Sequence, residues 1–312
     1  MNFIDLHCDT LYKATTNRLR LDDPSYEVKL SSDISSHKLQ CYAIWIPDNL
    51  SGEESERLFF DSAKLLKSES KRLGLKLFDI GTYRSGEFYN YVNSAFFTVE
   101  NGKALNGKIE NVKKFADLGV RIITLTWNDK NALGSGVLSG ESNGITDFGR
   151  KVISKMEKYG IICDVSHASD ALFYDIADIS SQPFVATHSN TRKITSNPRN
   201  LTDEQIKIIK ERKGIIGINL HNAFLNNNPD NAKMTDILSH TDYMLSLGCE
   251  NVLSFGTDFD GCDLPKDIFG SESVGKIYEL FLRHNYNETL VRKIFHENAH
   301  KFFENFDNRR IM

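Results

Sequence analysis

The chain has 312 residues, of which 40% are hydrophobic and 26% charged, with a formal net charge of -4. This balance excludes a disordered chain and supplies enough apolar material for a large core. It leaves no strong basic field for nucleic acid or an anionic membrane surface, so small or neutral partners fit better.

No basic segment leads into an apolar run at the N-terminus, and no stretch approaches ~18 apolar residues, so a cytoplasmic location without membrane contact is expected. The five cysteines, Cys8, Cys41, Cys163, Cys249 and Cys262, are scattered, odd in number and free of any C-x-x-C spacing. They read as reduced thiols, not as a disulfide frame.

In chain order, short β-branched or apolar runs alternate with longer segments of helical period, the pattern of βα units on a parallel sheet. The predicted strands are 3–7, 41–46, 95–100, 120–127, 160–167, 183–189, 214–220 and 251–258. Amphipathic helices are predicted near 53–73, 106–118, 147–159, 169–178, 202–213 and 235–247, with two more after 272. Gly119, Gly160, Gly214 and Gly248 mark helix ends, and Thr202 with Gln205 forms a capping box. The polar stretch 226–231 reads as a loop. Eight strands with mostly intervening helices favour an α/β fold of the (β/α)8 TIM type, as a single catalytic domain over 1–312, ahead of a doubly wound sheet.

Residues able to bind metal recur at the C-terminal ends of these strands. His7 and Asp9 follow the first, Glu100 ends the third, His167 the fifth, His188 the sixth and Asp258 the eighth. In a barrel these ends share one face, where active sites draw on several strands at once. His7 and Asp9, two apart, point to the same side of an extended segment. Imidazole and carboxylate together suit zinc, and also manganese or iron. Six candidates exceed the three protein ligands of one catalytic zinc, so two ions are implied. A carboxylate can bridge two ions, and a water between them would be acidified to a hydroxide nucleophile.

A rival lies near the C-terminus, where "HENAH", His296 to His300, satisfies H-E-x-x-H with both histidines on one helical face. Its segment reads as a closing helix whose Leu290, Ile294, Phe295, Phe302 and Phe303 pack on the barrel exterior. No third ligand follows in the remaining residues, so the motif is taken as a structural coincidence.

Together "DLHCDT", "DVSHAS", "THSN", "NPRNLTDE" and "GTDFDG" make the chain resemble the membrane (renal-type) dipeptidase family of binuclear zinc peptidases. The resemblance spans nearly the whole chain and implies a (β/α)8 barrel. By it, His7, Asp9 and Asp258 would hold one Zn2+, His167 and His188 the other, and Glu100 would bridge both, with Mn2+ or another divalent metal as a substitute. Asp258 would also carry the proton to the leaving amine. Arg199 matches the family arginine that pairs with the substrate carboxylate, a task suited to a planar fork.

The implied substrate is a dipeptide, including L-D dipeptides, and a homodimer is among the assemblies the family uses. Two departures stand out. The bridging acid is usually followed by Gly, but here the segment reads "VENG". Mammalian-type members carry a His in the segment that reads "TLTWN" here, so Trp127 replaces it; either that role is missing or Asn128 donates a hydrogen bond to substrate instead. An amidohydrolase-type barrel acting on a cyclic amide or lactone is the alternative. Such barrels commonly use His-x-His at the first strand and often a carboxylated lysine as bridge.

Overall fold

The computed structural model describes residues 1–30, 36–79, 81–83, 86–140 and 143–308. Residues 309–312 of the expected domain span lie outside the described residues. Among the described residues the strands are β1 (Asn2–Cys8), β2 (His37–Trp45), β3 (Lys76–Leu77), β4 (Asn93–Glu100), β5 (Val120–Thr124), β6 (Ile162–Asp164), β7 (Val185–Ala186), β8 (Ile215–Ile218) and β9 (Leu253–Phe255).

The pairings between these strands are parallel, and they run β1–β2–β4–β5–β6–β7–β8–β9 before β9 returns to β1. The ring is a closed eight-stranded (β/α)8 barrel, which rules out the doubly wound sheet. The short β3, not among the predicted strands, adds to the N-terminal half of β4 outside the ring.

Several strands are shorter than their apolar runs. Strands β6, β7 and β9 stop early because side chains take over the backbone groups that would extend the ladder. The Asp164 carboxylate accepts from the amides of Ser166 (3.0 Å) and Thr187 (2.9 Å), and Ser166 Oγ accepts from the His188 amide (3.1 Å). Asp5 does the same for Thr257 (2.9 Å) and His7 (3.3 Å). The strand ends are thereby bent out of the ladder toward the barrel mouth.

The helices follow local chemistry. Gly52–Leu73 and Asp203–Glu211 both begin with reciprocal capping boxes, Ser51 with Glu54 and Thr202 with Gln205. The helix expected over 106–118 starts only at Glu110, because Asn106 and Gly107 hold φ of 51° and 64°, outside the helical region. Gly160 caps its helix at φ 78°, but Gly214 does not cap; Lys213 takes φ 58° instead. Gly214 is required for space, since a Cβ there would lie 2.2 Å from the Phe184 carbonyl oxygen.

The closing helix departs from expectation in its second half. Ile294 and Phe295 join the outer layer with Phe3 and Phe255. Phe302, Phe303 and Phe306 instead close the N-terminal mouth, joining the inner cluster of Leu39, Phe96, Ile122, Ile162 and Ile215. Arg121, fully buried, ties the plug: its Nη2 lies 2.6 Å from Asp307 Oδ1, and its guanidinium lies 5.4 Å from the rings of Phe96 and Phe306. With this end filled, the open mouth lies at the C-terminal ends of the strands.

The H-E-x-x-H residues sit at the plugged end. His300 Nδ1 is 2.7 Å from the Tyr83 hydroxyl, and the His296 ring lies 3.5 Å from Asn2 Nδ2 within a π-helical turn, Lys293–Glu297. Both rings pack on Phe88, and neither histidine belongs to any metal-capable group among the described residues.

Candidate active site

The mouth opens into a cavity of about 730 Å³ lined by Asp9, Glu100, His167 and Asp258 at its floor. The six strand-end residues of the sequence converge here. Ligand atoms of His7, Asp9 and Asp258 lie within 4.8 Å of one another, as do those of His7, Glu100 and His188. Glu100 divides its two oxygens: Oε2 is 3.5 Å from His7 Nε2, while Oε1 is 2.7 Å from His167 Nε2 and 3.7 Å from His188 Nε2. His7 Nε2 is also 3.5 Å from Asp9 Oδ2 and 3.8 Å from Asp258 Oδ1.

The backbone is bent to achieve this. His167 and Asp258 both adopt the left-handed region, with φ of 76° and 64°, a conformation that costs about 1–3 kcal/mol each outside glycine. Asn101, directly after Glu100, holds φ 82°. Its buried amide compensates by donating to the Ile46 carbonyl and the Asp48 carboxylate, both at 2.9 Å, and accepting from Asn131 at 2.8 Å. Asparagine thus tolerates the left-handed backbone while holding the loop behind Glu100.

The outer nitrogen of each imidazole is set by its partner. Thr187 Oγ1 donates to Asp164 Oδ2 at 2.6 Å, so its single proton is committed and it accepts from His188 Nδ1–H at 2.8 Å. His167 Nδ1 lies 3.0 Å from Asn128 Oδ1, an acceptor-only atom. Both rings therefore present Nε2 lone pairs to the Glu100 side. Asn219 Nδ2 donates to Asp258 Oδ2 at 3.0 Å. Thr187, Asp164 and Asn219 were not singled out from the sequence, although Thr187 sits inside the "THSN" motif.

Charge on this buried floor is poorly balanced. Burial, then the charge of Asp9, pushes Glu100 up to about 7, and burial also raises Asp9. Burial works against a charged His7, yet Glu100 and Asp9 outweigh it and raise that imidazole well above its usual range. Burial, with nearby Arg199 and His7, holds His167 and His188 well below theirs. His7 Nε2, His188 Nε2 and Asp9 Oδ1 are buried with no hydrogen-bond partner. The neutral imidazoles of His167 and His188, the crowded carboxylates and the orphaned buried atoms fit divalent cations. A Cβ at Gly261 would lie 2.0 Å from Asp9 Oδ2 and 2.6 Å from Asp258 Oδ1, so only glycine leaves these oxygens clear.

On one side of the mouth stands Arg199, 7% exposed, with Nε and Nη2 unpartnered and its guanidinium 5.2 Å from the Phe224 ring centroid. Burial lowers it to about 10.

A family model described as membrane dipeptidase (peptidase family M19) matches residues 1–310. The chain belongs to the membrane dipeptidase family, M19. As a family member it is a metallopeptidase of the dipeptidase type, a hydrolase with divalent-metal chemistry. Its curated relatives include an uncharacterised protein from the pqqA 5′ region of Klebsiella pneumoniae, 30% identical over 66% of this chain and 80% of that one. An uncharacterised dipeptidase from Schizosaccharomyces pombe is 29% identical over 61% of this chain and 47% of its own length.

The barrel of this M19 member superposes on a solved metallopeptidase, dipeptidase AC, with TM-score 0.90 at 24% identity, covering 97% and 98% of the two chains. A Rhodobacter sphaeroides metallopeptidase carrying a phosphinate mimic of L-Ala-D-Ala gives 0.89 at 23%, covering 97% and 99%. No helix among the described residues is long and apolar enough to cross a membrane.

Proposed function

We propose that the chain hydrolyses dipeptides, L-D dipeptides included, in a centre that holds two zinc ions. The observation that carries this reading is the split Glu100 carboxylate, one oxygen toward His7 and the other toward His167 and His188. His7, Asp9 and Asp258 would hold one ion, His167 and His188 the other, and Glu100 both; manganese would serve the same donors. When bound, the ions supply Lewis acidity toward the scissile carbonyl and acidify the attacking water.

The protein's own groups do the rest. Arg199 offers two unpartnered nitrogens to the substrate's terminal carboxylate, which sets the substrate length at about two residues. Asp258, fixed through Asn219, takes the proton from the attacking water and passes it to the leaving amine. Asn128 borders the cavity, but its carbonyl oxygen faces His167, so we assign it to orienting that ring, with its amide left for substrate. The pocket's lysine, Lys13, lies 3.7 Å from Asp260, so nothing favours a carboxylated-lysine centre acting on a cyclic amide or lactone.

The test is hydrolysis of L-L, L-D and D-D dipeptides, with tripeptides and dipeptide amides as controls, before chelation, after it, and after zinc is restored. Zinc-dependent cleavage of free dipeptides alone is expected. Cleavage that survives complete chelation, or that favours cyclic amides, would overturn the reading.

A further inference from the structure

Resting on the dipeptidase reading, we infer that the site selects dipeptides whose N-terminal residue carries a large apolar or aromatic side chain. The inference comes from where the mouth is aromatic. Tyr12 follows β1, Trp45 ends β2 and Trp127 follows β5, and all three line the cavity. The Tyr12 and Trp45 rings meet edge to face at 4.8 Å, and Trp45 meets Trp127 in the same way, also at 4.8 Å. Leu138, 56% exposed, extends this wall at the rim. An exposed apolar surface at a cavity mouth marks a place where a ligand's apolar part is buried.

The ring order decides which part of the substrate reaches it. Arg199 lies in the loop after β7, and β7 is diametrically opposite β2 in the closed order β1–β2–β4–β5–β6–β7–β8–β9. With its carboxylate at Arg199 and its carbonyl over Glu100 near the barrel axis, a dipeptide extends its N-terminal residue toward Trp45 and Trp127. The Trp127 ring is 6.1 Å from that of His167, so the wall begins where the metal-capable residues end. Trp127 thus presents an apolar face beside the metal-capable residues.

The chain contains only two tryptophans, and both belong to this wall, so intrinsic emission reports its occupancy directly. The experiment pairs kcat/KM for Gly-Ala, Ala-Ala, Leu-Ala, Phe-Ala, Asp-Ala and Ala-Phe with tryptophan emission on adding phosphinate dipeptide mimics bearing Gly or Phe at the N-terminal side. We expect Phe-Ala to exceed Gly-Ala by at least about tenfold, the scale on which an apolar pocket discriminates. Asp-Ala should be the poorest, the Phe mimic should shift the emission, and Trp127→Ala should collapse the Phe-to-Gly ratio.

Equal kcat/KM across the N-terminal series, with a larger response to Ala-Phe, would overturn the inference and leave the dipeptidase reading standing. No hydrolysis of any dipeptide, with emission still shifted selectively by the Phe mimic, would overturn the dipeptidase reading and keep the wall. Neither hydrolysis nor an emission change would remove both.

Discussion

Arg199→Met should make the protein more stable and nearly inactive. In the free protein the guanidinium is 7% exposed and two of its nitrogens lack partners. Burial draws it from 12.5 to about 10. At about 1.4 kcal/mol per factor of ten, this amounts to about 3 kcal/mol held against the folded state. Methionine fills a similar volume without the charge; it gives up the guanidinium's contact with the Phe224 ring but removes that cost, so the unfolding free energy should rise by about 1–3 kcal/mol once lost contacts are discounted.

The substrate loses more than the fold gains. A two-pronged charge-assisted contact contributes roughly 3–5 kcal/mol, so kcat/KM for free dipeptides should fall by about 10²–10⁴-fold. Urea denaturation at matched metal content measures the first effect. Kinetics on a dipeptide and its C-terminal amide measure the second: the wild type should discriminate strongly between them, and the variant should not. A variant less stable than wild type would show that the buried guanidinium does not burden the fold, and one that keeps the preference for the free carboxylate would show that Arg199 does not hold that group.

Thr187→Val should leave the fold intact but weaken metal binding about 10–100-fold in chelator competition, because His188 loses the acceptor that fixes its Nδ1 proton; Thr187→Ser should restore it. Asp307→Ala should cost about 3–5 kcal/mol by urea denaturation, since it strips the carboxylate from the buried Arg121, whereas Arg121→Met with Asp307→Leu should recover most of the loss. His240 is buried, accepts from the Thr191 amide, and is lowered by burial to about 4. A folded value below the unfolded 6.5 means that its stabilisation is complete above pH 6.5 and lost as pH falls toward 4, by up to about 3 kcal/mol. His240→Gln should flatten this part of the stability profile. Replacing both His296 and His300 with Ala should leave metal content unchanged by elemental analysis, and loss of metal would reinstate the H-E-x-x-H motif.

The barrel was legible because hydrophobic period and glycine placement repeat along the chain, and because parallel strands buried on both faces read as continuous apolar runs. Strand ends were less legible. Where Asp5 and Asp164 draw the neighbouring amides away from the ladder, the apolar run continues in sequence after the strand has stopped. The gathering of His7, Asp9, Glu100, His167, His188 and Asp258 could be read from their common place at strand ends.

Other parts of the site had no local signal. Thr187 matters through a proton committed to Asp164, and Asn219 through a contact with Asp258 thirty-nine residues away. Trp45 and Tyr12 become a wall with Trp127 only once the ring closes. Asn101 looked like a departure from the family pattern; its φ of 82° and buried hydrogen bonds explain how asparagine holds the left-handed backbone there.

Whether Glu100 joins two metal sites is decided by elemental analysis of zinc-loaded protein beside Glu100→Gln. About two zinc ions per wild-type chain and a clear loss of metal in the variant are expected. One ion or none in the wild type, or two that remain unaffected by Glu100→Gln, would contradict the bridging role.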